Sequence, residues 1–171
     1  KVKRLQQAPR KKKKIAVLGG GTTGMEAALL ASRRGHDVTL YEKEDHLGGL
    51  LCAMDGIELK WTITRFKEYM IRQIEKSAVN LKLGVKATPE LIRSENYDEV
   101  IVAIGSEPMY LPIPGLTGKN VIPAIEVTKK EPQMGKKIVV IGGGEIGVEM
   151  GIVLARKGHE VELLEQGSIL S

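Results

Sequence analysis

Two glycine triplets hold the chemistry that this sequence can do. Gly19-x-Gly21-x-x-Gly24 and Gly142-x-Gly144-x-x-Gly147 each follow a short apolar run and open a helical pattern. In that context the first glycine permits a tight turn. The second lets diphosphate oxygens approach bare backbone, and the third lets helix and strand pack closely. The helix N-terminus then presents free N–H groups and the positive end of its dipole to the phosphates. Glu42 and Glu165 each stand 23 residues after their first glycine, at the end of the next apolar run. A carboxylate there accepts hydrogen bonds from ribose hydroxyls and repels a 2′-phosphate. The second site is therefore expected to take NADH in preference to NADPH.

The elements that must position these residues are legible around them. Ile15–Leu18 reads as a strand buried on both faces, Met25–Arg34 as a helix stopped by Gly35, and Asp37–Tyr41 as the next strand. His46–Leu59 reads as a loop. Thr64–Lys76 reads as an amphipathic helix with Phe66, Met70, Ile71 and Ile74 on its apolar side. Val79–Leu83 is a predicted strand, Thr88-Pro89-Glu90 starts a short helix through Arg93, and Val100–Ala103 is a further buried strand. The prolines and glycines of residues 106–118 predict an irregular connection. Val121–Ile122 is read as a short strand and Ala124–Lys130 as a short helix.

From Lys137 the first pattern returns. Residues 15–44 and 138–167 align without a gap at an offset of 123, with 13 identities in 30 positions. These include the glycines, Arg33/Arg156, His36/His159 and Glu42/Glu165. An internal repeat of this kind makes the chain two βαβ units in tandem. The expected fold class is α/β, a Rossmann-like dinucleotide-binding fold with a parallel sheet and a second, truncated βαβ unit. The expected organisation is a basic linker at 1–14, a first dinucleotide-binding domain at 15–110, a connection at 111–136 and the incomplete start of a second, NAD(P)H-binding domain at 137–171.

Charge and composition narrow the rest. Eight Lys or Arg and no acid occupy residues 1–14, leaving 18 basic against 21 acidic residues beyond them. The net charge of +5 therefore belongs to the basic run, which reads as a solvated linker; no nucleic-acid partner is expected. No secretory signal and no run long enough to span a membrane is present, so a cytoplasmic protein with no membrane partner is expected. His36 and His159 recur just past the helix-ending glycine and are read as structural. Cys52 is the single cysteine, which rules out a dithiol relay within the chain. No residue stands out as a catalytic acid or base, and no metal-ligand spacing is present.

These residues resemble the two-dinucleotide-binding-domain flavoproteins. Leu47-Gly48-Gly49-Leu50 after the ribose-binding Glu, Val100–Gly105 and Pro112-Ile-Pro-Gly115 are similar to that superfamily's motifs, with Ile104 where threonine is usual. Within it, residues 66–75, 89–92 and 135–144 resemble the C-terminal FAD/NAD(P)-binding region of old-yellow-enzyme-like reductases, the group of 2,4-dienoyl-CoA reductase, 2-enoate reductase and trimethylamine dehydrogenase. The resemblance covers residues 15–171. It implies that Gly19, Gly21, Gly24 and Glu42 hold the ADP half of FAD, with Lys43 beside the adenosine. Gly49 and Leu50 would approach ribose and pyrophosphate, Ala87 would offer its backbone to adenine, and Gly105 would close the flavin site. Gly142, Gly144, Gly147 and Glu165 would hold NADH.

The resemblance also implies a parent chain in which an upstream TIM barrel with FMN and an iron–sulfur cluster is the partner, with a homodimer as a further expectation. Two alternatives remain open at this point. The first site could hold only ADP as a structural element, or Cys52 could serve as the lone redox cysteine of an NADH oxidase or CoA-disulfide reductase. Little or no turnover is expected from the 171-residue chain alone.

Overall fold

The computed structural model describes residues 10–55, 57–107, 112–130 and 132–170. Residues 1–9 of the expected linker and residues 108–111 of the expected irregular connection lie outside them. The chain divides into two compact units. The first is built from residues up to Met54 together with Lys60–Glu107, the second from Asp55–Leu59 and the residues from 108 onward.

In the first unit, β1 (Lys14–Leu18), α1 (Thr22–Arg33) and β2 (Asp37–Tyr41) form the first βαβ unit. Between β2 and α2 run two 3₁₀ segments, Gly49–Met54 in this unit and Glu58–Lys60, whose first two residues group with the second. Then come α2 (Trp61–Glu75), β3 (Asn80–Lys82), α3 (Pro89–Ser94) and β4 (Glu99–Val102). The four strands are parallel in the order β3-β2-β1-β4. This is the order of half a doubly wound sheet, and its chain connections diverge between β1 and β4, where such folds bind ligands. Alternation along β1 and β2 puts Ile15, Val17, Val38 and Leu40 on one face. There they pack with Met25, Ala28 and Leu29 of α1 and with Met70 and Ile74 of α2. α1 ends as a glycine-terminated helix should: Gly35 takes φ +93°, its N–H donates to Ser32 O, and the His36 N–H donates to Ala31 O.

Three expectations need correction. β4 is not buried on both faces: Val100 and Val102 are exposed, because β4 is an edge strand and only Ile101 turns toward the α1–α2 core. Phe66 is also exposed; the buried stripe of α2 runs through Lys67, Met70 and Ile74, which leaves Phe66 at its border. Val121–Ile122 forms no strand among the described residues. The short helix at Pro89 is capped as its sequence implies, with the Thr88 hydroxyl accepting from the Leu91 N–H.

The basic run ends inside the fold. Lys14 opens β1, and its ammonium reaches the Glu95 carbonyl at 2.6 Å and lies 4.6 Å from the centre of the Tyr97 ring. Lys13 pairs with the Glu99 carboxylate. On the sheet face away from α1, the Tyr41 hydroxyl meets that of Tyr97 at 2.9 Å, and burial followed by this bond pushes the Tyr41 phenol's pKa up.

The second unit repeats the plan with β5 (Lys137–Ile141), α5 (Glu145–Arg156) and β6 (Glu160–Leu164), preceded by α4 (Ala124–Lys130). β5 and β6 pair in parallel in the same register as β1 and β2. Val139, Ile141 and Leu164 are exposed on this two-stranded sheet. No helix among the described residues is long and apolar enough to cross a membrane.

Trp61, the only tryptophan, is 58% exposed at the start of α2, with the Arg65 guanidinium 5.7 Å from its ring centre. Its fluorescence is expected at the long-wavelength, water-exposed limit and open to quenching by iodide. A blue-shifted, unquenched emission would contradict this placement of α2.

Candidate functional site

The first glycine turn is shaped by what lies behind each glycine. Gly19 has φ +105°, and its N–H donates to Tyr41 O at 2.7 Å. A Cβ on Gly19 would lie 2.3 Å from the Ala103 carbonyl oxygen, so the end of β4 crosses directly behind the turn. A Cβ on Gly24 would lie 1.8 Å from the Gly19 carbonyl oxygen, which lets α1 start hard against β1.

Gly21 is different. It is the N-cap of α1, no side chain caps that helix, and a Cβ on it would meet only Gly49 Cα, at 3.9 Å. Gly49 has φ +56°, and a Cβ there would come within 2.9 Å of Gly21 Cα. Two bare backbones thus face each other beside the helix start. The first helical hydrogen bond runs from the Met25 N–H to Gly21 O, so the N–H groups of Thr22, Thr23 and Gly24 precede the helical ladder. A cradle of this kind, which side chains would fill, fits a diphosphate.

Glu42 is buried at the end of β2. One carboxylate oxygen accepts from the Gly20 N–H at 2.6 Å and the other from the Glu44 N–H at 2.9 Å. Lys43 beside it is exposed and lies 3.8 Å from the Glu44 carboxylate. The loop after β3 is tied to this segment, with the Val85 N–H donating to Glu42 O and the Gly84 N–H to Glu44 O, so Ala87 follows two residues after a fixed point. Leu50 is exposed next to Gly49. Gly105 has φ +76°, three residues past the end of β4, and among the described residues nothing lies within 4 Å of where a Cβ would be. The structure thus brings Gly19, Gly21, Gly24, Glu42 and Gly49 together around one turn. Lys43, Leu50, Ala87 and Gly105 stand on the loops next to it.

Sequence reasoning missed Gly20, Leu47 and Ala103. A Cβ on Gly20 would lie 2.4 Å from Leu47 Cδ2 and 3.0 Å from Glu42 Cβ, so any side chain there would have to displace the Leu47 tip. The signal was present: both turns read Gly-Gly-Gly, and a leucine stands five residues after each glutamate.

The second turn reproduces this geometry. A Cβ on Gly147 would lie 1.8 Å from the Gly142 carbonyl oxygen. The Glu165 carboxylate accepts from the Gly143 N–H at 2.6 Å and from the Gly167 N–H at 2.7 Å. A Cβ on Gly143 would lie 2.6 Å from Leu170 Cδ2. Gly144 caps α5 with no side-chain hydrogen bond. Two differences stand out. Among the described residues no strand stands behind Gly142, and nothing lies within 4 Å of where its Cβ would be. Glu145 also takes the first helical position that Thr22 holds in the first copy, adding a negative charge.

The Gly167 and Gly143 amides hold the Glu165 carboxyl below its ordinary pKa of 4.5. A depressed folded value means that the charged clasp is complete above the ordinary glutamate value and is lost only as pH falls through the lower folded one. A carbon-detected NMR titration of Glu165 is expected to give a midpoint under 4.5. A midpoint at or above that value would contradict the two amide bonds.

The histidines serve the fold. A backbone N–H can only donate, so the Lys13 N–H makes His36 Nδ1 an acceptor; a carbonyl can only accept, so Gly135 O makes His159 Nδ1 a donor. The two copies therefore use opposite tautomers for the same tie to the segment before the strand. The Cys52 thiol donates to Leu47 O at 3.6 Å and packs against Gly48, where an added Cβ would lie 2.7 Å from Sγ. Among the described residues no group of three His, Cys, Asp or Glu gathers as a metal site.

A parallel sheet carrying a glycine turn and a strand-end carboxylate, repeated in a second unit, defines a dinucleotide-binding fold. Comparison with known proteins agrees. Residues 66–171 match the family described as pyridine nucleotide-disulphide oxidoreductase, and residues 14–99 the family described as FAD dependent oxidoreductase. The chain belongs to the pyridine nucleotide-disulphide oxidoreductase family. It is 41% identical over 154 residues to a bilirubin reductase of Mediterraneibacter gnavus, with 90% of this chain and 24% of the relative aligned. It is 40% identical over 165 residues to an NADH oxidase of Thermoanaerobacter brockii, with 94% and 25% aligned. The solved structure of a 2-naphthoyl-CoA reductase superposes with a TM-score of 0.86 at 36% identity, covering 96% of this chain and 25% of that one.

The chain thus spans about a quarter of the length of the relatives it matches. The resemblance to the C-terminal region of old-yellow-enzyme-like reductases stands, and the two family descriptions name FAD and a pyridine nucleotide as cofactors, with one relative named for NADH.

Proposed function

We propose that the turn after β1 binds the ADP half of FAD and the turn after β5 binds NADH, in an oxidoreductase that passes hydride from NADH to the flavin. In this reading Gly19, Gly21, Gly24, Glu42, Lys43, Gly49, Leu50, Ala87 and Gly105 form the first site. Gly142, Gly144, Gly147 and Glu165 form the second. Bound nicotinamide and flavin supply the redox chemistry; the protein supplies binding, orientation and electrostatics. The N–H groups of Thr22, Thr23 and Gly24 lie ahead of the first helical bond and serve as donors to phosphate oxygens. Glu42 and Glu165 keep lone pairs beyond their backbone bonds, and these accept from ribose hydroxyls.

The observation that carries this reading is the facing of Gly21 and Gly49, two residues without side chains beside an uncapped helix start. The onward partner is a barrel with FMN and an iron–sulfur cluster. That proposal rests on the resemblance and on relatives about four times the length of this chain.

The test is the molecule that the purified chain carries or accepts. A yellow chromophore with the absorbance of FAD supports the proposal. A colourless protein releasing ADP would make the first turn a structural nucleotide site, and a protein that binds neither would overturn the reading of that turn.

A further inference from the structure

We propose that Glu42 and Glu165 are also positioning residues, each fastening its glycine turn into binding shape before any nucleotide arrives, with the buried Leu47 backing the first turn and the exposed Leu170 lying against the second. This rests on the nucleotide-binding reading of the two turns and adds a second duty for the ribose carboxylates.

The geometry occurs twice at the repeat offset. Gly20 N–H to Glu42 and Gly143 N–H to Glu165 are both 2.6 Å. The remaining oxygen takes the amide two residues onward in each copy, at 2.9 and 2.7 Å. Leu47 and Leu170 stand at the same offset of 123 and lie against the middle glycine, where an added Cβ would come to 2.4 and 2.6 Å. This pair falls outside the 30-residue window in which the repeat is evident by identity.

A carboxylate reserved for ribose would have no reason to bond the turn. Here it takes the amide of the middle glycine, which Leu47 or Leu170 lies against. The turn is thereby preorganised, and less of its ordering is left to ligand binding. Ribose selection and turn shape then depend on one side chain. Removing the acid to admit a 2′-phosphate also loosens the diphosphate site.

The experiment uses the full chain with Glu165→Gln and Glu165→Ala, reading amide hydrogen exchange by NMR and affinity for inorganic pyrophosphate, a probe without ribose. Glutamine can accept one of the two amides but presents N–H₂ to the other. Exchange at Gly143 or Gly167 is therefore expected to rise about tenfold in Glu165→Gln, and at both in Glu165→Ala. Gly20 should be unchanged, and the helix amides of Met150 and Leu154 should stay protected as the folding control. Pyrophosphate affinity is expected to fall in both variants, although deleting a negative charge would by itself raise it. Unchanged exchange at Gly143 and Gly167, or a rise in pyrophosphate affinity, would overturn the proposal. Should the unaltered chain bind neither pyrophosphate nor NADH, the nucleotide reading fails, and the exchange arm still decides whether the clasp exists.

Discussion

Gly24→Ala is expected to destabilise the first unit by about 3 kcal/mol or more, while Gly21→Ala leaves it folded and strips its affinity for nucleotide. The two substitutions add the same methyl group three residues apart. At Gly24 the methyl meets the Gly19 carbonyl oxygen at 1.8 Å, backbone against backbone, and α1 can make room only by lifting off β1. Met25, Ala28 and Leu29 of that helix fill the core, so the shift opens the most buried part of the unit. Glycine to alanine in a helix otherwise stabilises by roughly 1 kcal/mol, so the sign itself is diagnostic.

At Gly21 the φ of −73° suits any residue, and the methyl would reach Gly49 Cα at an ordinary 3.9 Å. It fills the space where phosphate oxygens would approach the amides. With two charge-assisted hydrogen bonds lost, ADP or FAD affinity is expected to fall by about 100-fold or more. Denaturant melts and nucleotide titrations of the two variants check this. A Gly24→Ala chain as stable as the unaltered one would contradict the packing, and a Gly21→Ala chain with full affinity would contradict the site.

NADH is expected to bind the second turn about 100-fold more tightly than NADPH. The Glu165 carboxylate is held in place by two amides and kept ionised by them. Glu145 adds a second negative charge at the start of α5. The 2′-phosphate of NADPH brings roughly −2 charge to the carboxylate. Like charges so close repel even across solvent, and an affinity ratio of about 100-fold is the expected outcome. Nucleotide fluorescence titrations measure the ratio directly. Equal affinities would show that the ribose of a bound nucleotide does not lie at Glu165.

Much of this was readable from residue order. Glycine, helix and acid recur at fixed spacing because a βαβ unit has a fixed length, so Glu42 and Glu165 could be assigned to strand ends before any coordinates. Gly35 and Gly158 announced their helix ends, and both take positive φ. What escaped was contact between distant parts of the chain. Ala103 lies behind Gly19 because β4 pairs with β1, a neighbour that no periodicity reveals. Val100 and Val102 read as a buried run, yet apolar composition cannot tell an edge strand from a central one. Leu47 looked like part of a loop; its role exists only because the loop folds back over Gly20.

The most direct test is an amide-resolved NMR titration of the chain with ADP and then NADH. ADP is expected to shift the amides of Gly21, Thr22, Thr23 and Gly24, NADH those from Gly144 to Gly147, and Gly21→Ala to abolish the first response alone. Saturable shifts centred elsewhere, or none at either turn, would contradict it.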